Sequence, residues 1–224
     1  MGKKKLQHFA ENKTFQHYFE ASFSDISEQG SPMAGRWNDS FFCNNGKLVV
    51  EIGCGKGEYT IGQAKRFLEN NYIGVDIKGA RIWRGAKTIQ EENLKNAAFI
   101  RSQAGLLHLW FAESEVDEIW ITFPDPQPGS RKNKRLTSPR YLSMFKKFLK
   151  PEGVVHLKTD SRELFEYTNE MISENNLQVV NRVDDIYGTL TDGPLCEIRT
   201  FYENMWLAEG KVISYVAFQI DKLN

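Results

Sequence analysis

The chain has 224 residues with 29 Lys+Arg and 29 Asp+Glu, so its formal charge is zero and its pI about 6.9. That length fits one large domain with a single buried core. A hydrophobic share of 41% and 7 Pro exclude a disordered or collagen-like chain, and no apolar run reaches the roughly 18 residues of a membrane span. The basic start, Met1-Gly-Lys-Lys-Lys-Leu-Gln-His8, lacks an apolar run behind it and does not read as a secretory signal. Cys43, Cys54 and Cys196 are odd in number and widely spaced, which speaks against a disulfide framework or a zinc site. We read a cytoplasmic protein with no metal, no membrane association and no obligatory protein partner evident.

In chain order, residues 1–45 form a polar, aromatic-dotted N-terminal arm, and residues 46–224 a single domain of alternating elements. Lys47-Leu-Val-Val-Glu-Ile52 is a buried strand running into glycines. Tyr59 to Asn70 carries a helical stripe, Asn71 to Asp76 is a strand, and Lys78 to Glu92 a helix. Ala97–Arg101 and Asp117–Phe123 are strands. Ser138-Pro139 opens a helix to Leu149, with Pro at its first position. Gly153–Lys158 is a strand, Ser161–Asn175 a helix, and Leu177–Val183 and Val212–Ile220 alternate with period two. Such strand–helix alternation predicts an α/β fold with a mostly parallel, doubly wound Rossmann-like sheet; the last two strands predict an antiparallel edge.

Glu51-Ile-Gly53-Cys-Gly55-Lys-Gly57 stands where such a sheet binds its ligand, at the carboxyl end of the first strand. Alternate glycines let backbone approach a ligand. The G-x-G-x-x-G dinucleotide pattern fails at position 58, which is Glu, and no phosphate-binding G-x-x-x-x-G-K-[ST] loop exists. Glu51 would repel a pyrophosphate but suits a cationic ligand, and Asp76 ends the next strand where a ribose-binding acid belongs. Together these residues match S-adenosyl-L-methionine, which carries an ammonium, a sulfonium and a ribose but no phosphate.

Phe123-Pro-Asp125-Pro126 stands at the end of the fourth strand, its prolines restricting the backbone around Asp125. Behind it comes a basic run. The net charge is −1 over residues 1–128, +8 over 129–150 and −7 over 151–224. Neutrality therefore conceals a band able to contact several phosphates, Arg131, Lys132, Lys134 and Arg135 at its head. His8, His17, His108 and His156 form no catalytic or metal constellation, and Trp83, Trp110 and Trp120 fall at core positions.

The combination resembles the bacterial tRNA (guanine-N7-)-methyltransferase family. The resemblance is carried by Gly2-Lys-Lys-Lys-Leu with Phe9-x-Glu-Asn12, the Glu51 to Gly57 loop, and Gly74-Val-Asp-Ile77. It continues through Phe123-Pro-Asp-Pro126 with its basic run, Lys158-Thr-Asp160, and Arg199-Thr200-x-x-Glu203. These pieces stand in family order over nearly the whole chain. The resemblance implies a class I methyltransferase acting on N7 of the variable-loop guanine of tRNA. It implies a cofactor site at Glu51, Gly53, Gly55, Gly57, Asp76, Gln103 and Ala104, with Asp125 as the active-site carboxylate. It further implies RNA contacts from Arg131, Lys132, Lys134 and Arg135, and contacts to the target guanosine from Asp160, Thr200 and Glu203. The family pattern differs at Gln127, Gly129, Lys132 and Gln103, where Trp, Lys, His and Asp are common. Competing readings are a methyltransferase of a small molecule or protein, with the basic run a solvated face, and a noncatalytic RNA-binding module. A nucleotide-dependent oxidoreductase is disfavoured by the glycine spacing.

Overall fold

A computed structural model describes residues 3–223, so Gly2 of the N-terminal motif lies outside the described residues. The chain divides into two compact units, one ending at Ala112 and one beginning at Glu113. No helix among the described residues is long and apolar enough to cross a membrane.

The first unit opens with helix α1 (Lys3–Asn12), strand β1 (Tyr18–Glu20), helix α2 (Phe23–Gln29) and a π-helical turn at Trp37–Phe42. Then come β2 (Leu48–Ile52), α3 (Glu58–Arg66), β3 (Asn71–Asp76), α4 (Gly79–Glu92), β4 (Ala97–Arg101) and a 3₁₀ turn at Ala104–Leu109. Its strands lie in the order β1-β4-β3-β2, all parallel. Every residue of β2 is buried, as expected of a strand covered on both faces. The N-terminal segment is built into this unit. β1 pairs with β4, the Asn12 amide donates to Gly79 O at 2.8 Å, and Trp83 Nε1 donates to Glu11 Oε2 at 2.7 Å. Helix α3 stops at Arg66 rather than Asn70, because the buried Asn96 amide takes the carbonyls of Ala64 and Asn70 at 2.9 and 3.0 Å. That bond draws Phe67 out of helical geometry and leaves Leu68 in solvent.

The second unit contains β5 (Val116–Thr122), a 3₁₀ turn at Gly129–Lys134, α5 (Pro139–Phe145), β6 (Leu149–Thr159), α6 (Arg162–Glu174) and β7 (Val179–Val183). Three short helices follow, α7 (Ile186–Thr189), α8 (Pro194–Glu197) and α9 (Phe201–Ala208), then β8 (Ser214–Gln219). The order is β5-β6-β8-β7, with β5 and β6 parallel and β8 antiparallel to both neighbours. The expected antiparallel edge is thus formed by β8 slotting between β6 and β7. Helix α5 is shorter than its pattern suggests: Leu149 already begins β6, which is 11 residues long. The fold is of the mostly parallel α/β class read from the sequence.

Candidate cofactor and substrate sites

In the first unit the chain leaves β2 with the amides of Gly53 and Cys54 both donating to Val75 O, at 2.8 and 3.0 Å. Gly53, Gly55 and Gly57 have φ of 83°, 58° and 76°, the left-handed region that favours glycine. A Cβ at Gly53 or Gly55 would meet nothing within 4 Å, so backbone is presented to open space there. At Gly57 a Cβ would meet the Phe99 ring at 2.3 Å, so that glycine also serves packing. The turn is tied to the next strand end: Gly55 N donates to Asp76 Oδ2 at 3.0 Å, and Lys78 N to Asp76 Oδ1 at 2.7 Å. Glu51 is 3% exposed, and its carboxylate accepts from both the Thr60 amide, at 2.9 Å, and the Thr60 hydroxyl. Burial, with the charges of Glu51 and Asp76 adding to it, pushes the Cys54 thiol well above the usual range. Two carboxylates around an open glycine cradle fit a ligand with an ammonium, a sulfonium and a ribose, and disfavour phosphate. Gln103 is exposed and caps the 3₁₀ turn that Ala104 begins. It lines a cavity of about 490 Å³ together with Ile77, the residue after Asp76.

In the second unit, β5 ends at Thr122 and the Pro-Asp-Pro loop begins. Phe123 and Gln127 both have φ of 48°, left-handed although neither is glycine, a conformation costing on the order of 1–2 kcal/mol each. The loop is held at both ends. Phe123 N donates to Lys158 O at 2.8 Å. Arg135 Nε donates to Pro126 O at 2.9 Å, and its Nη2 to Gln127 O at 2.9 Å. Asp125 itself is exposed, and its Oδ1 accepts from Gln127 N at 3.1 Å, closing a local turn. The carboxylate is thus fixed from beneath and turned to solvent.

Arg135, expected as an RNA contact, holds this anchoring position in the structure. Its side chain is 1% exposed, paired with Glu163 and stacked over the Tyr167 ring at 4.6 Å from the centroid. Its Nε and Nη2 are engaged by two carbonyls and a carboxylate, so in this structure the guanidinium braces the loop from the interior. Arg131, Lys132 and Lys134 remain exposed, as do Arg140 and Lys147 further along.

Glu203 is likewise interior in this structure. Expected against the guanosine, it is completely buried with Lys158, the two charged atoms 2.6 Å apart. Lys158 is the next-to-last residue of β6 and also donates to Leu195 O at 2.7 Å; Tyr187 OH donates to Glu203 at 2.7 Å. Burial pushes the Lys158 ammonium below the usual lysine range, with Glu203 pulling it back up. Thr200 is the N-cap of α9: its hydroxyl accepts from Glu203 N at 3.1 Å while Glu203 reaches back to Thr200 N, a reciprocal capping box. The Thr-x-x-Glu spacing therefore encodes a helix start over a buried cation. A signal for Lys158 was present in the sequence, a lysine closing the apolar run Val-Val-His-Leu. Asp160 lies just past β6, half-buried, with Oδ2 3.3 Å from Lys211 Nζ, whose ammonium sits 3.4 Å from the Trp206 ring centroid. His156 stacks on Trp120 at 4.1 Å and shares a 2.8 Å hydrogen bond with Tyr215 OH, as suits a sheet-face residue.

Residues 45–216 match a family model described as "Putative methyltransferase". The chain is 48% identical over 209 residues to a tRNA (guanine-N(7)-)-methyltransferase of Porphyromonas gingivalis, covering 92% of this chain and 85% of that protein. It is 42% identical to the protein of the same name from Bacteroides thetaiotaomicron, covering 98% and 87%. Among solved structures, the 16S rRNA methyltransferase KamB aligns with a TM-score of 0.60 at 14% identity, over 91% of this chain and 94% of that one. A SAM-dependent methyltransferase from Aquifex aeolicus aligns at 0.54 and 14%, over 89% and 99%. The structural likenesses establish the methyltransferase fold, and the sequence identities are specific: the chain belongs to the tRNA (guanine-N(7)-)-methyltransferase family.

Proposed function

We propose that this protein transfers the methyl group of S-adenosyl-L-methionine to N7 of the variable-loop guanine of tRNA, in the cytoplasm. The observation that carries the reading beyond family membership is the Pro-Asp-Pro loop. The loop that carries the exposed Asp125 carboxylate is braced by buried Arg135 through the Pro126 and Gln127 carbonyls, and exposed cations follow in sequence. The residues of the first unit fit the cofactor, which supplies an electrophilic methyl on a sulfonium. Glu51 and Asp76 provide negative charge and hydrogen-bond acceptors, and Gly53 and Gly55 provide close backbone approach.

Guanine N7 carries an in-plane lone pair and no proton at neutral pH, so no general base is needed. The N7–carbon bond forms as the carbon–sulfur bond breaks, and the electron pair of that bond stays on sulfur. Positive charge passes to the purine. The protein's task is alignment of the two reactants and stabilisation of the charge that develops. Asp125 performs the second: its carboxylate accepts hydrogen bonds from guanine N1–H and the N2 amine, which adenine does not present. Asp160, with its charge partly balanced by Lys211, assists in positioning. Arg131, Lys132 and Lys134 bind phosphates. Thr200 acts indirectly, by starting α9.

The test is incubation of unmodified tRNA with labelled S-adenosyl-L-methionine, followed by nucleoside analysis. We expect 7-methylguanosine, formed at a rate that falls steeply with salt. A folded, cofactor-binding protein that produces none would refute the reading. Methylation of a small acceptor without salt dependence would favour the small-molecule alternative.

A further inference from the structure

The cavity of about 490 Å³ in the first unit has an unexpected wall. Ile77, Gln103 and Leu106 come from the strand ends and turn expected at a cofactor site, but Phe23 and Ile26 come from α2. Helix α2 belongs to the N-terminal segment, before the residues 45–216 matched by the family model. Phe23 is 68% exposed and Ile77 54% exposed, two large apolar side chains left in water at one cavity. Only Ile26 of α2 is buried, so Phe23 is not there to fill the core. The helix is fastened at its ends. The Ser22 hydroxyl accepts from Asp25 N at 3.2 Å, Gly30 N donates to Ile26 O at 3.0 Å, and Ser31 N ties the exit to Leu109 O at 2.7 Å.

We propose that Phe23 of α2 is a cofactor-binding residue, packing against the adenine of the cofactor at the cavity that Gln103 and Ile77 border. The inference rests on the proposed use of S-adenosyl-L-methionine. Three observations support it. The cavity is within the usual size of small-ligand sites. It begins at the residue following Asp76, and ligands of doubly wound sheets lie beyond the carboxyl ends of the strands. Its polar groups suit an uncharged base and not a phosphate. The Gln103 side-chain amide has no hydrogen-bond partner among the described residues and offers the donor–acceptor pair that adenine's edge complements. The one cation, Arg101, is paired with Glu20 at 3.2 Å, and Asp25 adds an uncompensated negative charge. A purine resting on Phe23 and Ile77 would bury both apolar faces at once.

The test is calorimetric titration of the full-length protein with S-adenosylhomocysteine and with 5′-methylthioadenosine, which keeps the adenosine but lacks the amino-acid portion. Phe23→Ala removes the aromatic face and should weaken both ligands about tenfold. Phe23→Tyr should stay close to wild type. A Phe23→Ala dissociation constant within threefold of wild type, for either ligand, overturns the proposal, as does an equal loss in Phe23→Tyr. Failure of the functional reading looks different: wild-type protein would bind S-adenosylhomocysteine yet leave tRNA unmethylated.

Discussion

The glycine loop of the first unit and the Pro-Asp-Pro loop of the second both leave a parallel strand and turn sharply in left-handed backbone. They do so by opposite means. Gly53 and Gly55 reach positive φ with no Cβ to oppose it, so the loop needs little support and exposes backbone. Phe123 and Gln127 reach it against steric cost, and the second unit holds them with Arg135 and a hydrogen bond to the Lys158 carbonyl. A backbone cradle suits a ligand recognised by shape, whereas a loop that must aim one carboxylate needs posts beneath it. The contrast accounts for the interior position of Arg135, which is one of those posts.

The contrast is broken most severely at the buried pair. Lys158→Met leaves Glu203 charged and uncompensated, and we expect a stability loss of about 3–5 kcal/mol in urea unfolding, with part of it regained in the Lys158→Met/Glu203→Leu double variant. Next comes Arg135→Met, which strips the donors from Pro126 O and Gln127 O while leaving the mostly exposed Glu163 solvated. A loss of about 1–3 kcal/mol is expected, with a lower methyl-transfer rate and unchanged S-adenosylhomocysteine affinity. Within the glycine loop, Gly57→Ala forces a Cβ into the Phe99 ring and should cost well over ~1 kcal/mol, whereas Gly53→Ala bears only backbone strain of about 1 kcal/mol. Comparing their thermal midpoints separates packing from conformation.

The smallest effect is a pH dependence in the N-terminal segment. Burial lowers the pKa of His17, whose Nε2 lies 2.7 Å from Ala86 O. Its folded pKa is below the unfolded value of 6.5, so over that interval the unfolded chain binds more protons and stability rises with pH. Acidification below 6.5 should therefore destabilise wild type more than His17→Gln, as read from unfolding midpoints across pH 4.5–7.5, a window of about three units around the histidine range.

Most of the strands and the glycine loop were legible from apolar runs and spacing, because buried parallel strands and left-handed turns constrain residue type locally. The Glu51–Gly57 and Asp76 pairing was legible for the same reason. The burial of Arg135 and Glu203 was not: a cation in a basic run looks solvated until Glu163, 28 residues away, and two backbone carbonyls surround it. The Thr200-x-x-Glu203 spacing also makes a capping box at the start of α9. Burial is a property of tertiary placement, and charge patterns alone do not record it. The N-terminal segment was underestimated likewise, since its three-residue strand gains its meaning only from pairing with β4.

The most direct test of the division between cofactor and substrate loops is a crossed pair of variants, Asp76→Asn and Asp125→Asn, each measured for S-adenosylhomocysteine affinity and for single-turnover methylation of tRNA at saturating cofactor. We expect Asp76→Asn to lose affinity while retaining most of its rate. Asp125→Asn should lose about 10²–10³ in rate with affinity within about twofold of wild type, in line with removal of one electrostatic group from a reacting centre. An Asp125→Asn protein whose cofactor affinity falls as far as its rate would contradict the division and make Asp125 a cofactor ligand.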